Sequence, residues 1–139
     1  MMDILIMAGV VLAIVAIIVC VIVIRRRPRK LKVERFQEQW REMQKLLSSK
    51  DTWKQAVIDA DKLLDAALKK RHFPGKSMGE RLTKAQRLLS DNESVWFGHK
   101  LRNKLEGDPA TKLKEADVKQ ALVGIRQALK DLGALPDGK

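Results

Sequence analysis

The residues best suited to chemistry lie in one run, Trp96-Phe97-Gly98-His99-Lys100-Leu101-Arg102-Asn103-Lys104-Leu105-Glu106-Gly107-Asp108-Pro109. It sets an imidazole, a guanidinium and a carboxamide close together. His99, Arg102 and Asn103 stand at i, i+3 and i+4, so on a helix they share one face. Such a face can bind a phosphate or a carboxylate through the arginine fork. It can equally be a buried polar network that fixes helix register, with Arg102 paired to an aspartate of the Trp53–Leu68 helix.

Other chemistry finds little support. Metal ligation wants clustered His, Cys, Asp or Glu, and the chain has two His and a single Cys. No metal or cofactor is expected. Asp61 and Asp65 stand at i, i+4, but with Lys62 and Lys69 alongside they read as a solvated helix face. Gly75 and Gly79 stand alone, without the Gly-Lys-Ser/Thr of a phosphate loop. Asn92-Glu93-Ser94 matches a glycosylation acceptor, which a cytoplasmic domain never presents to the enzyme.

The elements that must position the cluster begin with an anchor. Ile4 to Ile24 is 21 residues without a charge. As a helix this stretch spans the ~30 Å hydrocarbon core of a bilayer. Met1-Met2-Asp3 offers no positive head and no Ala-x-Ala site follows, so the run reads as a retained anchor rather than a cleaved signal. Gly9, Ala13 and Ala16 form a small-residue stripe, ordinary in a Val/Ile/Ala-rich span.

Charge gives the orientation. The net charge is +11, and Arg25 to Arg35 carries +6 of it. Arg25, Arg26, Arg27, Arg29 and Lys30 form a collar expected to contact anionic lipid headgroups, at ~1 kcal/mol per residue. Basic flanks stay inside, so the N-terminus should face out and the remainder should lie in the cytoplasm, at a bacterial inner membrane. Cys20 lies within the span and is the only cysteine, so no internal disulfide can form. The remaining positive charge leaves nucleic acid open as a partner without arguing for it.

Helical periodicity dominates beyond the collar. Val33, Phe36, Trp40, Met43 and Leu47 make a short apolar seam. Ser48-Ser49-Lys50-Asp51 breaks it, and Asp51 can cap the next helix. Trp53, Ala56, Val57, Ala60, Leu63, Leu64, Ala67 and Leu68 then hold one face, with Asp59, Asp61, Lys62, Asp65, Lys69 and Lys70 on the other. Pro74-Gly75 ends that helix. A third helix carries Met78, Leu82, Ala85, Leu88 and Leu89. A fourth runs over about Glu93 to Leu105, and a fifth carries Val118, Ala121, Leu122, Ile125, Ala128, Leu129 and Leu132, closed by Gly133 and Pro136. No stretch alternates as a strand would.

The expected fold is all-α: a single N-terminal transmembrane helix, then a cytoplasmic antiparallel bundle of four to five helices. The divisions are residues 1–24 for the anchor, 25–50 for the basic juxtamembrane segment and amphipathic helix, 51–135 for the bundle and 136–139 for the tail. Residues 31–49 fit either a stalk or a bundle member.

The run His99-Lys100-Leu101-Arg102-Asn103-Lys104-Leu105-Glu106-Gly107-Asp108-Pro109 resembles the signature region of HEPN-like helical domains. Their pattern is Arg-polar-x-x-x-His near a helix end, often Arg-Asn-x-Ile-Ala-His before an acidic residue. In active members the Arg and His lie in a dimer cleft and cut RNA without metal. The helix from Trp53 to Leu68, with its Ala-Asp-x-Leu-Leu-Asp core, and the loop from Phe73 to Glu80 resemble uncharacterised bacterial relatives held by one N-terminal span. The similarity covers Trp53 to Leu132.

One departure decides what the resemblance implies. Arg102 and Asn103 match, but the family's histidine position is Gly107, and His99 precedes the arginine. General acid/base work on a ribose hydroxyl needs a group titrating near neutral pH, which glycine lacks. The resemblance therefore implies the fold, a tendency to dimerise, and Arg102-Asn103 as a structural or anion-contacting pair, without ribonuclease activity. The expected function is a membrane-anchored, non-catalytic interaction module that binds a protein partner or itself. Trp40, Trp96 and Phe97 are its candidate aromatic anchors. The alternatives are a degenerate ribonuclease using His99 with Arg102, or a non-cleaving nucleic-acid or nucleotide binder using Arg102, Lys100 and Lys104.

Overall fold

A computed structural model describes residues 1–26 and 31–136. Arg27, Arg29 and Lys30 of the collar lie outside the described residues, as do the side chains of Arg25 and Arg26. Among the described residues all regular structure is helical: α1 (Met2–Arg26), α2 (Val33–Lys45), α3 (Trp53–Lys70), α4 (Met78–Ala85), α5 (Asn92–Gly107) and α6 (Glu115–Asp131). Short 3₁₀ turns, Leu46–Ser48 and Lys50–Thr52, join α2 to α3.

α1 is apolar on every face and exposed along its length, and Met2–Ile24 is long and apolar enough to cross a membrane. That is consistent with an anchor or a signal sequence. Beyond it, α2 to α6 pack into one helical bundle. The seam of α2 settles its place. Phe36, Trp40 and Met43 are buried and belong to the same core as α3 and α6, so α2 is a bundle member and not a stalk. The Lys70 ammonium sits 5.4 Å from the Phe36 ring centroid, adding a cation–π contact to that seam.

α3 runs through the middle of the bundle and contacts α2, α4, α5 and α6. Its buried face is the expected stripe, Ala56, Val57, Ala60, Leu63, Leu64, Ala67 and Leu68. The periodicity also misplaces a residue: Asp61 is fully buried, not on the solvated face. Thr52, rather than Asp51, precedes α3, and its hydroxyl donates to the carbonyls of Leu46 and Ser49, locking the turn. α3 ends in a Schellman arrangement, with Phe73 N–H donating to Leu68 O at 3.1 Å and His72 at φ 63°. α6 ends the same way around Gly133 at φ 80°, where Ala134 N–H donates to Leu129 O at 2.8 Å. Arg71 links the two ends by donating from Nη1 to Leu132 O at 2.9 Å.

Helix α4 is shorter than its pattern predicts. It stops at Ala85, leaving Leu88 exposed on the following turn while Leu89 turns back into the core. Asp91 caps α5 by accepting from Ser94 N–H at 3.1 Å. α5 and α6 then cross at very short range. Gly98 lies against the Ala121 carbonyl and Ile125, and Gly124 against the Ser94 backbone. Side chains at either glycine would hold the helices apart, and this close crossing sets how α5 presents His99, Arg102 and Asn103 to α3.

Candidate functional site

His99, Arg102 and Asn103 do meet, and they meet around Asp61. His99 Nδ1 is 3.1 Å from Asp61 Oδ2, and Arg102 Nε is 3.4 Å from the same oxygen. Arg102 Nη1 donates to Asn103 Oδ1 at 3.0 Å, and Asn103 Nδ2 lies 3.5 Å from His99 Nε2. A carboxylate only accepts, so His99 carries a proton on Nδ1 and donates it to Asp61. The directions then agree around the chain: Arg102 donates to Asn103, Asn103 to His99, and His99 to Asp61. Glu106 completes the outer edge at 3.5 Å from Arg102 Nε.

Burial makes this cluster costly to disturb. The Asp61 side chain has no exposure, His99 has 8%, and Arg102 has 22%. Asp61 Oδ1 finds no hydrogen-bond partner among the described residues. A buried carboxylate needs paired charge and hydrogen bonds, and here only α5 supplies them. The Trp96 ring meets His99 edge-on, with centroids 6.0 Å apart and an interplanar angle of 74°, so the imidazole is wedged between an aromatic wall and the carboxylate.

A second polar pair lies one turn along α3. Arg81 of α4 grips Asp65 with two hydrogen bonds, Nε to Oδ1 at 2.7 Å and Nη2 to Oδ2 at 2.9 Å, and donates from Nη1 to Gly75 O at 2.9 Å. This bidentate fork fixes the Pro74-Gly75 turn and α4 against α3. Burial pushes the Asp65 carboxyl up, but the Arg81 hydrogen bonds and charge, with Lys69, outweigh it and hold the carboxyl below its ordinary 3.8. A depressed folded value gives stability that is fully present above the unfolded value and lost as pH falls through the folded one. Arg81→Gln should therefore cost about 3 kcal/mol at neutral pH. That penalty should shrink as the pH falls below about 4. Thermal melts of both chains across that range check this; a penalty independent of pH would refute the assignment.

Between the two pairs opens a cavity of about 630 Å³, lined by Asp65, Ser77, Gly79, Arg81, Trp96, His99, Lys100, Arg102 and Asn103 among others. Gly79 leaves the way over the imidazole clear, since a Cβ there would stand 4.0 Å from His99 Nε2. The imidazole is oriented as a base would be, yet its Nε2 faces the Asn103 amide, and three of the Arg81 N–H groups are already committed. Among the described residues no group of three His, Cys, Asp or Glu could hold a metal.

An aspartate of the Trp53–Leu68 helix was one expected partner of Arg102, and it is Asp61; Asp65 and Arg81 were not expected beside the cluster. A usable signal existed for Arg81: it stands at i+3 from Met78 and i−4 from Ala85, on the apolar stripe of α4. A charge at a core position calls for a buried partner. Among the aromatic candidates, Trp40 is core, whereas Trp96 and Phe97 are half-buried along a groove of about 560 Å³ with Gln86, Asn92, Glu93, Lys100 and Gln120. Gly107, at the histidine position of the HEPN-like pattern, ends α5 in open space. Compared with known protein families, with curated proteins and with solved structures, the chain matches none.

Proposed function

We propose that this chain is a membrane-anchored, non-catalytic helical module that holds a protein partner, or a second copy of itself, at the cytoplasmic face of a bacterial inner membrane. One observation carries the non-catalytic part: His99, Arg102 and Asn103 are tied to one another and to Asp61 Oδ2, with only Asp61 Oδ1 and Arg102 Nε of the cluster's buried side-chain atoms left without a hydrogen bond among the described residues. Groups spent on holding α5 to α3 are not free to move protons on a substrate. The apolar α1 and the basic residues after it support the anchor and the inward orientation of the bundle. The Trp96–Phe97 groove and Val123, 63% exposed on α6, offer apolar contact area to a partner. The HEPN-like pattern around Arg102-Asn103 supports self-association as one form of that contact.

A second reading rests on the Asp61–His99 pair beside an open cavity, which is the arrangement a degenerate ribonuclease would need. One experiment separates them. A photocrosslinker at Val123, with Glu38 as the control site, is irradiated in membranes holding the full chain, and the same preparation is incubated with labelled RNA. The expected result is a discrete protein adduct from Val123 and intact RNA. Cleavage that disappears in both His99→Ala and Arg102→Ala would replace the proposal with the ribonuclease.

A further inference from the structure

A second cleft, between α2 and the end of α6, shares no lining residue with the cavity beside His99. Gln37, Trp40, Arg41, Gln44, Arg126, Lys130, Leu135 and Pro136 enclose about 200 Å³. Among the described residues its charged groups are all cations, and no carboxylate lines it. Arg126 and Lys130 stand at i, i+4 on α6, and Arg41 faces them from α2. Among the described residues none of these three has a side-chain hydrogen-bond or salt-bridge partner. This contrasts with Arg81 and Arg102, which are both engaged by aspartates.

Trp40 forms part of the cleft wall beside these cations. Trp40 is 7% exposed, and its Nε1–H is buried without an acceptor among the described residues. An unmet buried donor costs about 1–3 kcal/mol, so such groups normally find a partner. Trp53, by contrast, donates its Nε1–H to Leu47 O at 3.1 Å. Among the described residues the cleft has no acceptor carrying negative charge.

We infer that this α2–α6 cleft binds a phosphate group, held by Arg41, Arg126 and Lys130 beside Trp40. Its volume is below the range of pockets for drug-sized ligands and fits a phosphate with a short polar stem. Two sources present that chemistry to a chain of this kind: a phospholipid headgroup, or a free phosphate in solution.

The test uses the ¹⁵N-labelled full chain in zwitterionic micelles, with the indole signals of Trp40, Trp53 and Trp96 assigned by Trp→Phe replacement. Inorganic phosphate is titrated in at constant ionic strength, with chloride as the reference. In a second arm the chain sits in phosphatidylcholine nanodiscs with or without phosphatidic acid. The Trp40 signal should move saturably while the other two stay, and the paired Arg126→Gln and Lys130→Gln replacements should weaken the response at least about tenfold. Movement with inorganic phosphate alone assigns the soluble source, and movement only with phosphatidic acid assigns the headgroup. A Trp40 signal that stays fixed in both arms, follows chloride equally, or still responds in the paired variant overturns the site.

Discussion

Gly124→Ala will destabilise the bundle by about 2–4 kcal/mol, although alanine is the better helix former. A Cβ at Gly124 would stand 2.5 Å from the Ser94 carbonyl carbon, 2.6 Å from Ser94 Cβ and 2.6 Å from Ser94 O. Carbon atoms pack comfortably at about 3.5–4.0 Å, so the overlap approaches an ångström. Two of the three atoms are backbone, and no rotamer change can move them aside. The helices must separate, and separation opens gaps around Val95, Gly98, Ala121 and Ile125, which are buried at that crossing. Against this stands a gain of about 1 kcal/mol in helix propensity. A domain of this size has only about 5–15 kcal/mol in total, so the variant should unfold tens of degrees earlier or populate the unfolded state. Gly107→Ala is the matched control: nothing lies within 4 Å of its Cβ, and it should hold or raise the melting temperature. Circular-dichroism melts of the full chain in detergent decide it, and a Gly124→Ala chain as stable as the parent would mean the α5–α6 crossing is wider than described.

That crossing also shows where the sequence stops being legible. Val118, Ala121, Leu122, Ile125, Ala128 and Leu129 announce α6 by spacing alone, and all six are buried. Nothing local says that Gly124 must lie against Ser94, because the constraint is a distance between two helices and has no periodic signature. The polar cluster divides in the same way. The grouping of His99, Arg102 and Asn103 follows from their spacing on one helix, and an aspartate of the Trp53–Leu68 helix was foreseen as the partner of Arg102. Which aspartate was not legible. Asp61 follows Ala60 and precedes Leu64 by three, at the edge of the apolar stripe, and a wheel of α3 alone assigns it to solvent beside Lys62. Its burial is decided by α5, from which His99 and Arg102 reach inward to it. The early end of α4 is similar: Leu88 continues the apolar spacing, but the chain must turn at Ser90 to donate to Asp131 and so reach the start of α5.

Asp61→Ala should cost about 3–5 kcal/mol, and the reason tests the proposed function as well as the fold. The substitution leaves His99 Nδ1–H without its acceptor and removes the carboxylate from beside Arg102 Nε, in a site where water has little access. Asp61→Asn keeps the shape and an acceptor oxygen, and should lose about half as much. A double-mutant cycle of Asp61→Asn with Arg102→Gln should return a coupling of about 1–3 kcal/mol if the two act as one unit. The more informative chain carries Asp61→Leu, His99→Leu and Arg102→Met together. Buried charged groups are often replaced by apolar ones of similar volume without loss, because the desolvation cost disappears with them. If the triple variant melts at or above the parent, the network is not what holds α5 to α3, and its retention has to be explained by what lies in the cavity beside His99. If it melts well below, with the paired membrane crosslinks from Val123 lost in step, the cluster is the clamp that gives the interaction surface its shape. The second outcome is the one expected, because Arg102 keeps 22% of its side chain exposed, so its apolar replacement recovers little desolvation cost while the links from α5 to α3 are lost.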